Sequence, residues 1–351
     1  MSLWLWIALN TQSALVCPIA HAAVPPQGAP SSTSNGPTSP EEASILWSEG
    51  RKAFEAGRFE EAIPPLQRLV DRYPAQEGYT DAHLYLGVAL TRTGKAAQAI
   101  DPLRYYVEAK GKTLDGIKGR LELGAAYVEA NRADEAYLTA LEVLKAKGVP
   151  ADFSIRGLLL KAEALLEQGH DLRAWQSVDS GRKQIAQNQS EIHRSDLLGH
   201  AQYLGLRIKA RDCARLPSRG PLDEAQTRAQ LARRGTCELE GLIKFKDTAE
   251  TGDPTWSKRA ADELIRSLEE YDQACSRPPV PKGKRTAAEL DRYRAELVAV
   301  ITRDCRAKYS KGEEMIASWR KAWNQPGKDP LPSDSLVQIN RVSQTFRKLA
   351  H

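Results

Sequence analysis

LWSEGRKAFEAGRFEEAIPPLQRLVDRYP, residues 46–74, holds the pattern that decides the fold. Small residues stand at Gly50, Gly57 and Ala62, and they return downstream in step. Ala62, Ala99, Ala136 and Ala174 are separated by 37, 37 and 38 residues. Gly57, Gly94, Asn131 and Gly169 lie five positions before each of them, and Gly50, Gly87, Gly124 and Ala162 form a third series with the same steps. Three series in phase define a repeat. Each has a mechanical reason. A Gly or Asn between two helices accepts the left-handed backbone that closes the first before the second begins. Gly or Ala inside the first helix removes bulk where the paired helix crosses, and the Ala of the second helix does so from the other side. Leu86, Tyr127 and Leu165 on first helices, with Leu66, Leu69, Leu103 and Leu144 on second helices, supply a buried stripe at helical spacing.

This order of small and large positions resembles the tetratricopeptide repeat (TPR), a helix–turn–helix unit of 34 residues. Residues 43–188 look like four such units, the first ending in Pro74, with short insertions such as Gln76-Glu77-Gly78 lengthening the links. Asn131 in the third unit, and Lys161 and Ala162 in the fourth, depart from the usual residues. The resemblance implies an all-α, TPR-like right-handed helical solenoid of about four repeats over residues 42–190. A C-terminal helical extension, 191–351, follows as a cap. There the period fades, and helices are expected over 195–212, 222–248, 256–276, 286–324 and 333–349, with breaks at the Pro/Gly clusters between them. Leu264, Leu268, Tyr271 and Cys275 share one face, as do Leu290, Tyr293, Leu297, Ile301 and Cys305.

In TPR arrays the first helix of each unit lines the concave groove. Carried onto this chain, that implies Trp47, Leu84, Leu121 and Leu159 at equivalent places. Phe54, Val88, Ala125, Val128 and Leu166 fall beside them, with Arg51, Arg92, Glu129 and Glu163 at the rim. An apolar strip with charged edges suits an extended or helical peptide. Trp47 and Phe54, the largest, are the expected anchors. The competing expectation is that some of these side chains pack between units. The clamp for a chaperone C-terminal carboxylate uses Lys and Asn on this face; Trp47, Arg51, Leu84 and Val88 stand there instead.

At the N-terminus, residues 1–22 read as a signal peptide or apolar segment. Leu3–Leu9 and Ala14–Ala20 are apolar, Ala20-His21-Ala22 fits a small-x-small cleavage site, and no Lys or Arg precedes Arg51. Asn10–Ser13 interrupt the run, which argues against a span of ~20 apolar residues. Cys17 lacks the small neighbour of a lipidation site. Residues 23–41, rich in Pro, Ser, Gly and Thr, read as a disordered linker. Beyond the segment four cysteines remain, Cys213, Cys237, Cys275 and Cys305; in an exported chain an even number predicts two disulfides. Connectivity is open. A helix break at Gly235-Thr236 would favour Cys213–Cys237.

The formal charge of +5 is spread along the 351 residues, without a block of like charge, so nucleic acid is not an expected partner. No phosphate loop, dinucleotide fingerprint, zinc-protease helix or serine elbow occurs. His193, Asp196 and His200 share a helical face, but the histidines are two turns apart, ~10 Å along the axis. That is too far to ligate one ion, so a solvated helix start is expected, with no metal and no cofactor. The phrases FEEAIPPLQRLVDRYP (59–74) and DAHLYLGVAL (81–90) resemble exported TPR proteins of Gram-negative envelopes. That resemblance implies a non-catalytic, periplasmic or outer-membrane-associated scaffold whose partners are envelope proteins. The alternative is a peripheral membrane or cell-wall attachment protein acting through the basic helix around Trp319 and Trp323, one turn apart.

Overall fold

The computed structural model describes residues 39–73, 78–188, 194–215, 224–278, 286–325, 327 and 330–351. The expected signal segment, all but the end of the linker, Pro74, His193 and the breaks at 217–221 and 279–281 lie outside them. The described residues form α-helices and connecting turns, with no strand among them. Pro40–His351 make one compact unit.

Helices pair in chain order. α1 (Pro40–Glu55) packs on α2 (Phe59–Arg72), α3 (Thr80–Arg92) on α4 (Ala96–Lys110), α5 (Leu114–Glu129) on α6 (Ala133–Lys145), and α7 (Ala151–Glu167) on α8 (Asp171–Gln187). The TPR-like, all-α stacking is therefore present. The stacking also continues with helices beyond residue 190. α9 (Arg194–Arg215) contacts α7, α8 and its own partner α10 (Glu224–Ala249). α11 (Pro254–Ser276), α12 (Ala287–Trp323) and α13 (Ser333–Ala350) complete the unit. Each odd-numbered helix touches the next, from α1 through α13, so the odd helices make one continuous layer.

The turns follow the small-residue series. Gly57, Gly94, Asn131 and Gly169 have φ of 72°, 77°, 58° and 78°. The next residue's N–H donates back five residues each time: Arg58 to Ala53, Lys95 to Leu90, Arg132 to Tyr127 and His170 to Leu165, at 2.8–2.9 Å. This wrap satisfies carbonyls that a helix end leaves open.

Inside the pairs the glycines interlock with leucines. A Cβ on Gly50 would lie 2.6 Å from Leu66 Cγ, and one on Gly87 would lie 2.4 Å from Leu103 Cγ. Both leucines are fully buried. The third pair solves the same crossing differently. Ala140, 16 residues after Gly124 as Leu103 is after Gly87, is too small to fill the notch. Leu160 of α7 enters instead, 2.3 Å from where a Gly124 Cβ would be. Gly199 lies 37 residues after Ala162 and carries the series into α9, where its bare backbone meets Trp256 of α11. Ala62, Ala99, Ala136 and Ala174 are fully buried.

The C-terminal helices begin where capping chemistry places them. Asp253 accepts from the Trp256 N–H at 3.0 Å ahead of Pro254, and Thr286 with Glu289 forms a reciprocal capping box. Two disulfides clip this region. Cys213–Cys237 joins α9 to α10 and Cys275–Cys305 joins α11 to α12, with Cα–Cα distances of 5.5 and 6.5 Å. The expected break at Gly235-Thr236 is absent: α10 runs straight through. Gly235 is there for proximity, since a Cβ would meet Tyr271 Oη at 2.4 Å, and the Thr236 hydroxyl bonds back to the Ala232 carbonyl within the helix.

Candidate functional site

The odd-helix layer presents a face with two unlike ends. Of the residues expected to line it, Leu84, Leu121, Leu159 and Leu166 are buried, at 4%, 9%, 0% and 0% exposure, and are core rather than lining. The reason is steric. Each odd helix packs directly on the next, so this position faces its neighbour. Trp47, Phe54, Val88 and Val128 remain half-buried, and Arg51 and Arg92 are exposed.

The end at α1 and α3 is aromatic. Tyr85, half-buried on α3, lies 4.4 Å from the Phe54 ring at 11°, a stacked pair, and 5.3 Å from Trp47. Phe59 meets Phe54 edge-on at 5.4 Å, and Tyr79 meets Trp47 at 6.3 Å. Five rings thus gather around one shallow surface, with Arg51 tied to Glu55 at 2.7 Å on its border. Tyr85 was not legible as a site residue because its place is held by Ser48, Glu122 and Leu160 in the other units. A ring that occurs once makes no series.

From α5 to α11 the face is ionic. Glu122 stands where Tyr85 does one unit earlier, and burial pushes its carboxyl above the usual range, with Arg92, Arg156 and Lys118 partly opposing. Asp196 on α9 accepts from Trp256 Nε1 at 2.9 Å and pairs with Arg156 of α7. Burial raises its pKa, but the Trp256 hydrogen bond, Arg156 and His200 together hold it below the ordinary value. His200 stacks on Trp256, centroids 3.9 Å apart at 6°, with Nε2 3.0 Å from Glu163 Oε1. For Glu163 burial again raises, and His200, Arg259 and Arg207 outweigh it, so this carboxyl too is held low. The guanidinium of Arg259 lies 5.3 Å over Trp256 and donates to Glu129 of α5 at 2.6 Å. Arg207 donates to Glu167 at 2.7 Å.

Acid and base therefore answer each other here. Asp196 and His200, expected at a solvated helix start, are instead half-buried members of this lattice. Glu129 and Glu163, expected at the rim, are spoken for by Arg259 and His200. No group of three or more His, Cys, Asp and Glu side chains able to hold a metal ion occurs among the described residues.

The indoles of α12 are engaged as well. Trp323 Nε1 donates to Glu250 at 2.8 Å, and Lys246 lies 5.8 Å over Trp319. Both rings face α10. Among the described residues no helix is long and apolar enough to cross a membrane.

Residues 35–77 and 48–112 match the tetratricopeptide-repeat family model. The match falls on the first two helix pairs, where the Gly and Ala series and the Gly57 and Gly94 turns are most regular. A solved tetratricopeptide-repeat protein from Parabacteroides merdae is similar at 11% identity, over 88% of this chain and 99% of its own, with a TM-score of 0.39. No curated protein matches in sequence. The repeats mark an interaction scaffold in general terms, a class that is typically non-catalytic. The disulfide pairs point to an oxidising compartment.

Proposed function

We propose that this chain is a non-catalytic scaffold of the bacterial cell envelope that holds a partner protein against the α1–α3 end of its odd-helix face. The observation that carries this reading is the half-buried ring cluster of Trp47, Phe54 and Tyr85, with Phe59 and Tyr79 beside it. Large aromatic side chains that keep part of their surface open are the anchors of protein interfaces. Val88 and Arg92 extend the surface along α3, whereas Leu121, Leu159 and Leu166 belong to core clusters elsewhere in the array. At the ionic end, Asp196, Glu163 and Glu129 already face Arg156, His200 and Arg259. Export is supported by the paired cysteines and by the apolar opening of the sequence, and the resemblance to envelope TPR proteins adds the compartment.

Co-purification tests this. The native protein, Trp47→Ala with Phe54→Ala, and Leu172→Ala as a control on exposed α8 surface are recovered from envelope extracts under equal expression. The double variant is expected to lose a partner that the native and control proteins both retain. Recovery of the same proteins at equal strength from all three would remove the aromatic surface as the binding site.

A further inference from the structure

We propose that the aromatic surface of α1 and α3 recognises a proline-rich segment of its partner, held in the extended polyproline form. This rests on the reading of that surface as the docking site and adds the chemistry of what docks there. Three observations carry it.

The first is that the rings have unused donors. Trp47 Nε1, Tyr79 Oη and Tyr85 Oη make no hydrogen bond among the described residues, and all three reach solvent. Elsewhere such groups are taken. The hydroxyls of Tyr73 and Tyr309 donate to Glu42 and Asp272, that of Tyr137 accepts from Arg173, and the indoles of Trp256 and Trp323 donate to Asp196 and Glu250. In this cluster the polar tips stay open beside half-buried ring faces.

The second is what such a surface can satisfy. Donors ask for acceptors on the ligand. A helical partner uses its carbonyls in its own ladder, all but the last four. A strand needs a sheet edge to pair with, and no strand occurs among the described residues. A polyproline helix has no internal hydrogen bonds, so its carbonyls are available, and its prolines carry no N–H that would need an acceptor in return. Its rings lie on aromatic faces, and its preset backbone loses little freedom on docking.

The third is spacing. Trp47 and Phe54 are seven residues apart on α1, ~10 Å by helical rise. The polyproline helix repeats every three residues, ~9 Å. Prolines at i and i+3 therefore come down on the two rings in turn, and Tyr85, 5.3 Å from Trp47 and 4.4 Å from Phe54, bridges them. Arg51 on the border is already joined to Glu55, which suits an uncharged segment.

Fluorescein-labelled peptides of equal length are titrated into the full chain, with fluorescence anisotropy as the readout. One consists of Ala-Pro-Pro repeats, one of Ala-Gly-Gly repeats, and one is an amphipathic helix with Leu on one face and Lys on the other. The expected result is saturable binding of the proline peptide, at least ~tenfold tighter than that of the glycine peptide, whose flexible backbone has to be ordered. Tyr85→Phe keeps the stacked ring and removes only the hydroxyl; Trp47→Phe keeps a ring and removes the indole N–H. Each should weaken the proline peptide roughly two- to tenfold, the loss of one hydrogen bond, with circular dichroism unchanged. No saturable binding of the proline peptide, equal binding of the glycine peptide, tighter binding of the helical peptide, or an affinity untouched by both substitutions would overturn the proposal. If it falls while co-purification still loses a partner with Trp47→Ala and Phe54→Ala, the docking surface stands and only this ligand class is rejected.

Discussion

Gly87→Ala tests the interlock on which the repeat depends. The added methyl would stand 2.4 Å from Leu103 Cγ, 2.7 Å from Cδ2 and 3.1 Å from Cδ1, against a side chain with no exposed surface. Overpacking of this kind costs roughly 1–3 kcal/mol. Replacing a mid-helix Gly by Ala returns about 1 kcal/mol of helix propensity. The single variant is therefore expected to lose ~0–2 kcal/mol. Leu103→Ala alone empties a core site and costs about 2–5 kcal/mol. In the double variant the new methyl enters the space that Leu103 vacated. The overpacking disappears while the propensity gain stays, so the total falls to ~1–4 kcal/mol. The pair should thus be non-additive by the overpacking amount, ~1–3 kcal/mol in the stabilising direction. Urea unfolding followed by far-ultraviolet circular dichroism, with a common slope, measures all four corners. Gly50 with Leu66 should behave alike. Gly124 supplies the control, because its notch is filled by Leu160 and not by Ala140. Additivity within ~0.5 kcal/mol at Gly87 and Leu103 would refute the interlock.

The disulfides close stretches with sequence separations of 24 and 30 residues. Each is worth about 3.5 kcal/mol by loop entropy. Reduction should therefore raise hydrogen exchange in α9–α13 well before α1–α8; uniform loosening would count against local clips. Trp256→Ala, at a half-buried site, should cost about 1–3 kcal/mol, and Trp256→Phe clearly less, since it keeps a ring on His200 while losing the bond to Asp196. Equal losses in urea unfolding would mean that the ring is not what matters. Asp196 and Glu163 have folded pKa values held below their ordinary ones. The stability they contribute is complete above the unfolded carboxylate range, near ~4, and is lost as pH falls through the folded values. Asp196→Asn should then be less stable than native at pH 6, with the gap closing on acid titration. A gap of constant size down to pH 2.5 would contradict the assignment.

What the sequence made legible was whatever recurs. Gly57, Gly94, Asn131 and Gly169 announce the turns because a left-handed residue is needed at every one, and only Gly or Asn takes it cheaply. The Gly50 series is legible for the same reason, and the Leu264–Cys275 and Leu297–Cys305 stripes follow from helical period. The face proved harder. Equivalent positions in a repeat need not have equivalent exposure. Among the described helices, Trp47 on α1 has one odd-numbered neighbour, α3, whereas Leu84, Leu121 and Leu159 lie on helices with one on each side. Place in the layer separates them, and periodicity does not carry it. Nor could spacing foretell that Arg259 meets Glu129 across 130 residues, or that Gly235 inside α10 serves Tyr271 and leaves the helix intact.

That long-range pair bears on where a partner can dock. α5 and α11 share no backbone contact, so Arg259 and Glu129 meet across the layer formed by α7 and α9. Both side chains are partly exposed, 37% and 40%, and such a pair contributes only ~0–1 kcal/mol. It reports the closeness of the two helices and does not enforce it. Beneath it, Glu163 and His200 are 8% and 12% exposed. A partner entering there would have to part the buried Glu163 carboxylate from His200, and a buried carboxylate left without its partner costs about 3–5 kcal/mol. At α1 and α3 the same partner displaces water from rings that have open surface to give. On the proposed reading, the difference in cost, more than any difference in attraction, is what favours the aromatic end.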